Sequence, residues 1–266
     1  MTKSSRTRLN RRIAEANGKT VNPPILQGQP KPLSIEIPGP VAIGIPSGDM
    51  WDAEFGVHLA TMIGQYKIPT ILINAKGCYV HKGRNYCVKV AQAKGCGHIL
   101  FLDSDMTFPA LTLVRLLSHQ KDVVGCMYSR RVAPFSNLGT PLDRTTTKVG
   151  SNDALVAMAM VPTGVLLIKM TVFDKLKRPY FDFAPSTTGD PDDEVGEDVN
   201  FCNKALAAGV ELWMDPALSM QIGHVGAAIY RVHDEQKAAA AQIGFAQERI
   251  DGVSLTDEKP AVAVAQ

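Results

Sequence analysis

The sequence predicts an α/β fold with a mostly parallel central sheet and a smaller β/α portion after it. Three observations predict it. From residue 41 onward, apolar runs of strand length alternate with segments of helical periodicity. The run His98–Leu102 is apolar almost throughout, as a strand covered on both faces must be. Turns bearing Asp, Ser and Gly follow the apolar runs, at the strand ends where such sheets bind ligands.

The elements follow in order. Val41–Ile45 reads as a buried strand stopped by Pro46-Ser47-Gly48, and Phe55, Leu59, Met62, Ile63 and Tyr66 recur at helical spacing. Pro69–Asn74 is a second strand, His81–Lys94 a second helix closed by Gly95, and His98–Leu102 the third strand. Pro109 suits the first turn of a helix that turns Leu111, Val114 and Leu117 inward. Asp122–Met127 is a fourth strand. Strand–helix alternation of this kind implies right-handed crossovers and parallel pairing. Beyond residue 150 the spacing predicts an apolar β-hairpin over Val156–Met170 and a short helix over Val172–Leu176. An acidic loop, a helix over Val199–Ala208 and strands over Glu211–Met214 and Ala217–Ile222 follow, leading to Gly223-His224.

Three regions emerge. Residues 1–40 form a basic, Pro-rich N-terminal arm, residues 41–230 the α/β domain, and residues 231–266 an Ala-rich helix, ending near Ile250, with a frayed tail. The formal net charge of the 266 residues is +2, but it is a cancellation, with +5 in residues 1–40 and −3 in the remainder. The body therefore lacks the overall basic surface of a nucleic-acid-binding domain, while the arm keeps DNA open as a partner. Five cysteines without a CxxC pair exclude zinc-ribbon and thioredoxin-type sites and fit reduced thiols. The basic, polar first twenty residues lack a signal-peptide core, and the apolar run Ala154–Ile168 is broken at Pro162-Thr163-Gly164. The expectation is a soluble, cytoplasmic protein with no transmembrane segment.

Asp103-Ser104-Asp105 directly follows the third strand. Two carboxylates at i and i+2 of an extended segment point to one side, where they can share a hard cation and its phosphates. The same string, with Thr107, also fits the DxDxT signature of haloacid dehalogenase-like phosphohydrolases. There Asp103 would be the nucleophile, with Lys169 or Lys175 available downstream. That signature normally follows the first strand of its core, and here two strand–helix units come first. Asp190, Asp192, Asp193, Glu194, Glu197 and Asp198 form an acidic loop, whose last two members start a helix after Gly196. A carboxylate held there is well placed to take a proton. His224 stands between glycines that allow close approach, and imidazole suits Mn²⁺.

The order of these motifs resembles the GT-A fold glycosyltransferases, family 2-like members in particular. The likeness runs from Val41 to about Tyr230 and rests on Ile45-Pro46-Ser47-Gly48, Gly83-Arg84-Asn85, Phe101–Met106, Val161–Gly164, Gly196-Glu197-Asp198 and Gly223-His224. It implies a Rossmann-like nucleotide-diphospho-sugar transferase with a nucleotide-diphosphate sugar donor, a UDP-sugar first among them, and Mn²⁺ or Mg²⁺. By resemblance, Asp105 and His224 would hold the metal, and Asp103 would share it or meet the ribose. Pro46, Ser47, Gly48 and Ser104 would border the donor, with Arg84 and Asn85 near the ribose or diphosphate and Arg130 or Arg131 assisting. Thr163 and Gly164 would border the acceptor. Asp198, with Glu197 as second candidate, would take the proton of an acceptor hydroxyl in a displacement that inverts the anomeric centre. The acceptor would be a glycan or lipid-linked sugar, or a hydroxylated DNA base reached through the arm. A non-catalytic nucleotide-sugar or nucleic-acid binding module is the remaining alternative.

Overall fold

The structure is a computed structural model that describes residues 37–77, 79–131, 135–143, 154–186, 190, 193–226 and 229–231. The expected arm up to residue 36, Asp192 of the acidic loop and the Ala-rich helix after Arg231 lie outside the described residues.

The chain opens with β1 (Val41–Ser47), α1 (Ala53–Gln65), β2 (Thr70–Lys76), α2 (Val80–Ala93) and β3 (His98–Leu102). The side chain of Asp52 caps α1 by accepting from the Glu54 amide at 2.9 Å. Lys94 is the C-cap of α2, and Gly95 takes the positive φ (65°) that closes a helix. Then come β4 (Met106–Thr107), α3 (Thr112–Ser118), β5 (Val123–Gly125), β6 (Tyr128–Ser129), β7 (Asn137–Leu138) and β8 (Thr140–Pro141). The last part holds β9 (Val156–Met160), β10 (Val165–Lys169), a 3₁₀ turn (Met170–Lys175), β11 (Ala184–Pro185), β12 (Glu194–Val195) and α4 (Glu197–Ala207). β13 (Leu212–Met214), α5 (Pro216–Ser219), β14 (Gly223–Val225) and β15 (Ile229–Arg231) complete it.

Among the described residues the main sheet has the order β2-β1-β3-β10-β5-β13-β9-β8. β9 and β10 run against the other six, so the expected mostly parallel sheet is present with two reversed strands. β1 alternates faces: Val41, Ile43 and Ile45 pack with Phe55, Leu59 and Met62 of α1, while Ala42 packs with Cys87, Val88 and Ala91 of α2. Each large apolar side chain fully buried in these two layers contributes roughly 2 kcal/mol. At Gly44 a Cβ would lie 3.1 Å from both Cys87 and Phe101, so glycine lets α2 settle close to the sheet. From β1 the chain crosses to β2 on one side and then to β3 on the other. The switch opens a crevice at their carboxyl ends.

Two expectations are corrected. β9 and β10 are consecutive but do not pair, because β5 and β13 lie between them and Val161–Gly164 is a crossing rather than a hairpin turn. Ala217–Ile222 is not a strand. Asp215 accepts from the Leu218 amide at 2.8 Å with Pro216 in the first turn, a helix-start signature that overrides the apolar content. The short helix expected over Val172–Leu176 is a 3₁₀ helix over Met170–Lys175, with Leu176 at its C-cap. Cys87, Cys96, Cys126 and Cys202 are buried. No helix among the described residues is long and apolar enough to cross a membrane.

Candidate active site

A cavity of about 350 Å³ lies at the carboxyl ends of β1 and β3. Pro46, Ser47 and Gly48 border it from β1, Asp103, Ser104 and Asp105 from the turn after β3, and His224 from β14. Tyr128 and Arg131, just beyond β5, complete the polar lining. Ser47 is held by a 2.8 Å hydrogen bond to Asn74 Oδ1 at the end of the neighbouring strand.

The turn after β3 is tighter than an extended segment, since the Met106 amide donates to the Asp103 carbonyl at 3.2 Å. The two carboxylates border one cavity and pair with different guanidiniums, Asp103 with Arg84 and Asp105 with Arg131.

Asp105 belongs with His224. β14 pairs antiparallel with β4, setting His224 opposite Met106, and the Val225 amide donates to the Asp105 carbonyl at 2.7 Å. A Cβ at Gly223 would collide with the Thr107 hydroxyl, so this pairing needs glycine. His224 Nδ1 lies 3.0 Å from the Ser129 carbonyl, which can only accept, so Nδ1 carries a proton. In the neutral ring the free lone pair is then on Nε2, which sits 3.6 Å from Asp105 Oδ2. Arg131 donates to the same Oδ2 at 2.8 Å. Burial pushes the Asp105 carboxyl up, but His224 and Arg131 outweigh it and hold it below the usual carboxylate range.

Asp103 belongs with Arg84. The guanidinium of Arg84, only 2% exposed, forks onto Asp103 at 2.9 Å (Oδ1) and 3.3 Å (Oδ2). Its Nε lies 3.6 Å from Glu197 Oε1, at the start of α4. Burial works against the charge on Arg84, but the Asp103 carboxylate more than restores it and raises its pKa. Burial also lifts the Glu197 carboxyl, with Arg84 pulling the other way. The Asp103 amide donates to the Gly164 carbonyl at 3.0 Å. Gly164 in turn donates its amide to the Tyr128 hydroxyl at 3.1 Å. Burial, reinforced by Asp103, raises the Tyr128 phenol well above its usual value and keeps it neutral. Its ring meets His224 edge-on, with centroids 5.1 Å apart.

Pro46, Ser47, Gly48, Asp103, Ser104, Asp105, Arg131 and His224 thus border one cavity. Arg84, Glu197 and Gly164 stand behind Asp103 and Tyr128 as supports. Asn85 is committed elsewhere: its amide nitrogen donates to the Phe181 carbonyl at 2.6 Å and its oxygen accepts from the Tyr180 amide at 2.9 Å. It borders a different cavity, of about 700 Å³, beside Tyr86 and Arg178. The Arg130 amide donates to the Ser136 carbonyl at 2.8 Å while its side chain is exposed, and Thr163 is buried at 2% exposure. Asp198 turns its carboxylate onto the Val199 amide at 2.8 Å. It lies near enough to Tyr128 and Glu197 to influence both titrations. Tyr128 was missed in the sequence, although its place just after a strand, like that of Asp103, marks it for the same crevice.

Asp105 and His224 are chemically suited to a divalent cation. One offers an ionised oxygen, the other a ring nitrogen whose lone pair is fixed by the Ser129 bond. Their 3.6 Å separation suits two donors each about 2.1 Å from one ion. Asp103 borders the same cavity, with both of its oxygens on Arg84. No group of three or more His, Cys, Asp or Glu side chains able to hold a metal occurs among the described residues.

No protein-family model matches the chain, and no curated protein matches it in sequence. Among solved structures, A197 from STIV shares 16% identity over 74% of this chain and 87% of that one, with a TM-score of 0.48. GalNAc-T7, crystallised with UDP, GalNAc and Mn²⁺, shares 10% identity over 74% of this chain, with the same TM-score of 0.48. This chain spans 45% of the GalNAc-T7 chain.

Proposed function

We propose that the chain is a metal-dependent glycosyltransferase that takes a nucleotide-diphosphate sugar, a UDP-sugar first among candidates, and transfers the sugar to an acceptor hydroxyl. The observation that carries this reading is the meeting of Asp103, Asp105 and His224 around one cavity at the β1/β3 switch point.

Asp105 and His224 would hold Mn²⁺ or Mg²⁺ together with diphosphate oxygens. When bound, the cation would supply charge stabilisation for the leaving diphosphate. Asp103 is paired with Arg84 through both oxygens, and each of them retains a second lone pair for a ribose hydroxyl. Ser47 and Gly48, at the tip of β1, border the nucleoside. Asp198 takes the acceptor proton as the acceptor oxygen attacks from the face opposite the diphosphate, which inverts the anomeric centre. Glu197, engaged with Arg84, is the less free of the two acids.

An Asp103 nucleophile, as a phosphohydrolase would need, fits poorly. Both of its oxygens are engaged by a buried guanidinium, which withdraws their electron density. The test is a thermal-shift screen of nucleotide-diphosphate sugars with Mn²⁺, followed by assay for slow sugar release. Stabilisation by one nucleotide class, with sugar release, supports transfer; phosphate release from simple phosphoesters without any nucleotide effect contradicts it.

A further inference from the structure

The two carboxylates of the turn after β3 each carry a guanidinium, but the two guanidiniums are held in opposite ways. Arg84 is 2% exposed on its side chain and forks onto Asp103 from inside the protein. Arg131 is 43% exposed, approaches Asp105 from the cavity side, and makes its second bond to the Val225 carbonyl at 3.1 Å. The oxygen it occupies, Oδ2 of Asp105, is the one that faces His224 Nε2.

We propose that Arg131 is a displaceable stand-in for the cation: it neutralises Asp105 in the free protein and moves onto the donor's diphosphate when a divalent ion takes its place. The proposal rests on Asp105 and His224 being the cation ligands, as proposed above. A guanidinium and a divalent ion cannot share one carboxylate oxygen without strong repulsion, so the two compete. The displaced side chain already borders the cavity, and a planar guanidinium matches phosphate oxygens with two parallel bonds. The sign of its effect therefore reverses along the binding sequence. Arg131 weakens binding of the bare ion and strengthens binding of the ion with diphosphate, so the protein discriminates against a metal that arrives without its nucleotide.

The experiment uses the full chain and Mn²⁺ alone, with free Mn²⁺ followed by its electron paramagnetic resonance signal; UDP is added in a second series. Arg131→Met is expected to bind Mn²⁺ about 2- to 5-fold more tightly than the wild type, the worth of a partly exposed ion pair. With Mn²⁺ present it is expected to bind UDP more weakly. Arg131→Lys, which keeps the charge but not the fork, should leave Mn²⁺ affinity near wild type and still lose UDP affinity. Equal or weaker Mn²⁺ binding by a folded Arg131→Met overturns the proposal while leaving the cation site standing. Wild type and Asp105→Asn binding Mn²⁺ alike, with or without UDP, would instead remove the cation site itself and the proposal with it.

Discussion

Arg84 lies behind Asp103, its guanidinium forked onto both carboxylate oxygens while Nε faces Glu197 at 3.6 Å. One buried cation thus joins the turn after β3 to the start of α4, two elements almost a hundred residues apart in the chain. Arg84→Met removes that cation and leaves two acids near each other without it. The loss should be about 3 kcal/mol at neutral pH, the usual cost of breaking one side of a buried pair. Urea unfolding measures it. Adding Glu197→Gln should recover part of the loss, and a double variant no more stable than the single one would show that Glu197 is not part of the unit.

Gly164 is where the Asp103 turn meets Tyr128. A Cβ there would lie 2.5 Å from the Tyr128 hydroxyl oxygen and 2.8 Å from its ring. Gly164→Ala must therefore push the phenol toward the cavity or move the Asp103 backbone. A loss of about 1–3 kcal/mol in stability is expected, with weaker donor binding. Unchanged nucleotide affinity in a destabilised Gly164→Ala would confine this contact to folding.

Asp215 tests the electrostatics away from the cavity. It is fully buried, and accepts from Arg115 Nε at 2.5 Å and His119 Nε2 at 2.7 Å. Burial raises its pKa, but the bonds from His119 and Arg115 win and bring it from 3.8 to about 2. The folded state thus holds the ionised form more strongly than the unfolded chain. The stabilisation, roughly 2 kcal/mol, is complete above the unfolded value and fades as pH falls toward the folded one. Asp215→Asn should cost about 3 kcal/mol at pH 7, because Arg115 loses its counter-charge and His119 its carboxylate partner. The gap from wild type, followed by urea unfolding, should narrow on acidification; a gap independent of pH would contradict this assignment.

What could be read from the chain divides along physical lines. His98–Leu102 and Val41–Ile45 were legible because a strand buried on both faces must be apolar throughout, and α2 was legible to within a residue because its buried face repeats at helical spacing. The reversal of β10 was not, since direction depends on where the crossing at Val161–Gly164 leads, and no local pattern carries that. Pro46, Ser47, Gly48, Asp103, Ser104, Asp105 and His224 could be singled out because they follow apolar strand-like runs. Their pairings could not: Arg84 meets Asp103, and Arg131 meets Asp105, only through the sheet order. The same distance in sequence hid the role of Asn85, whose amide ties α2 to the backbone at Tyr180 and Phe181.

Asp198 and Glu197 are neighbours with different surroundings, and the proposed chemistry separates them. Asp198→Asn should keep nucleotide-sugar binding but lower turnover by about 10²–10⁴-fold, the contribution of a positioned base. Glu197→Gln, which changes a partner of Arg84 instead of the base, should lower it far less. Steady-state rates of sugar transfer decide, and undiminished turnover in Asp198→Asn would move the base elsewhere.

The central claim is that Asp105 and His224 bind a nucleotide diphosphate through a divalent cation. Calorimetric titration of UDP into the wild type and into Asp105→Asn, each with and without Mn²⁺, tests it most directly. The account predicts binding by the wild type only when Mn²⁺ is present, and a loss of at least about tenfold, or roughly 1.4 kcal/mol, in Asp105→Asn. Binding of equal strength without metal, or undiminished in Asp105→Asn, would contradict it.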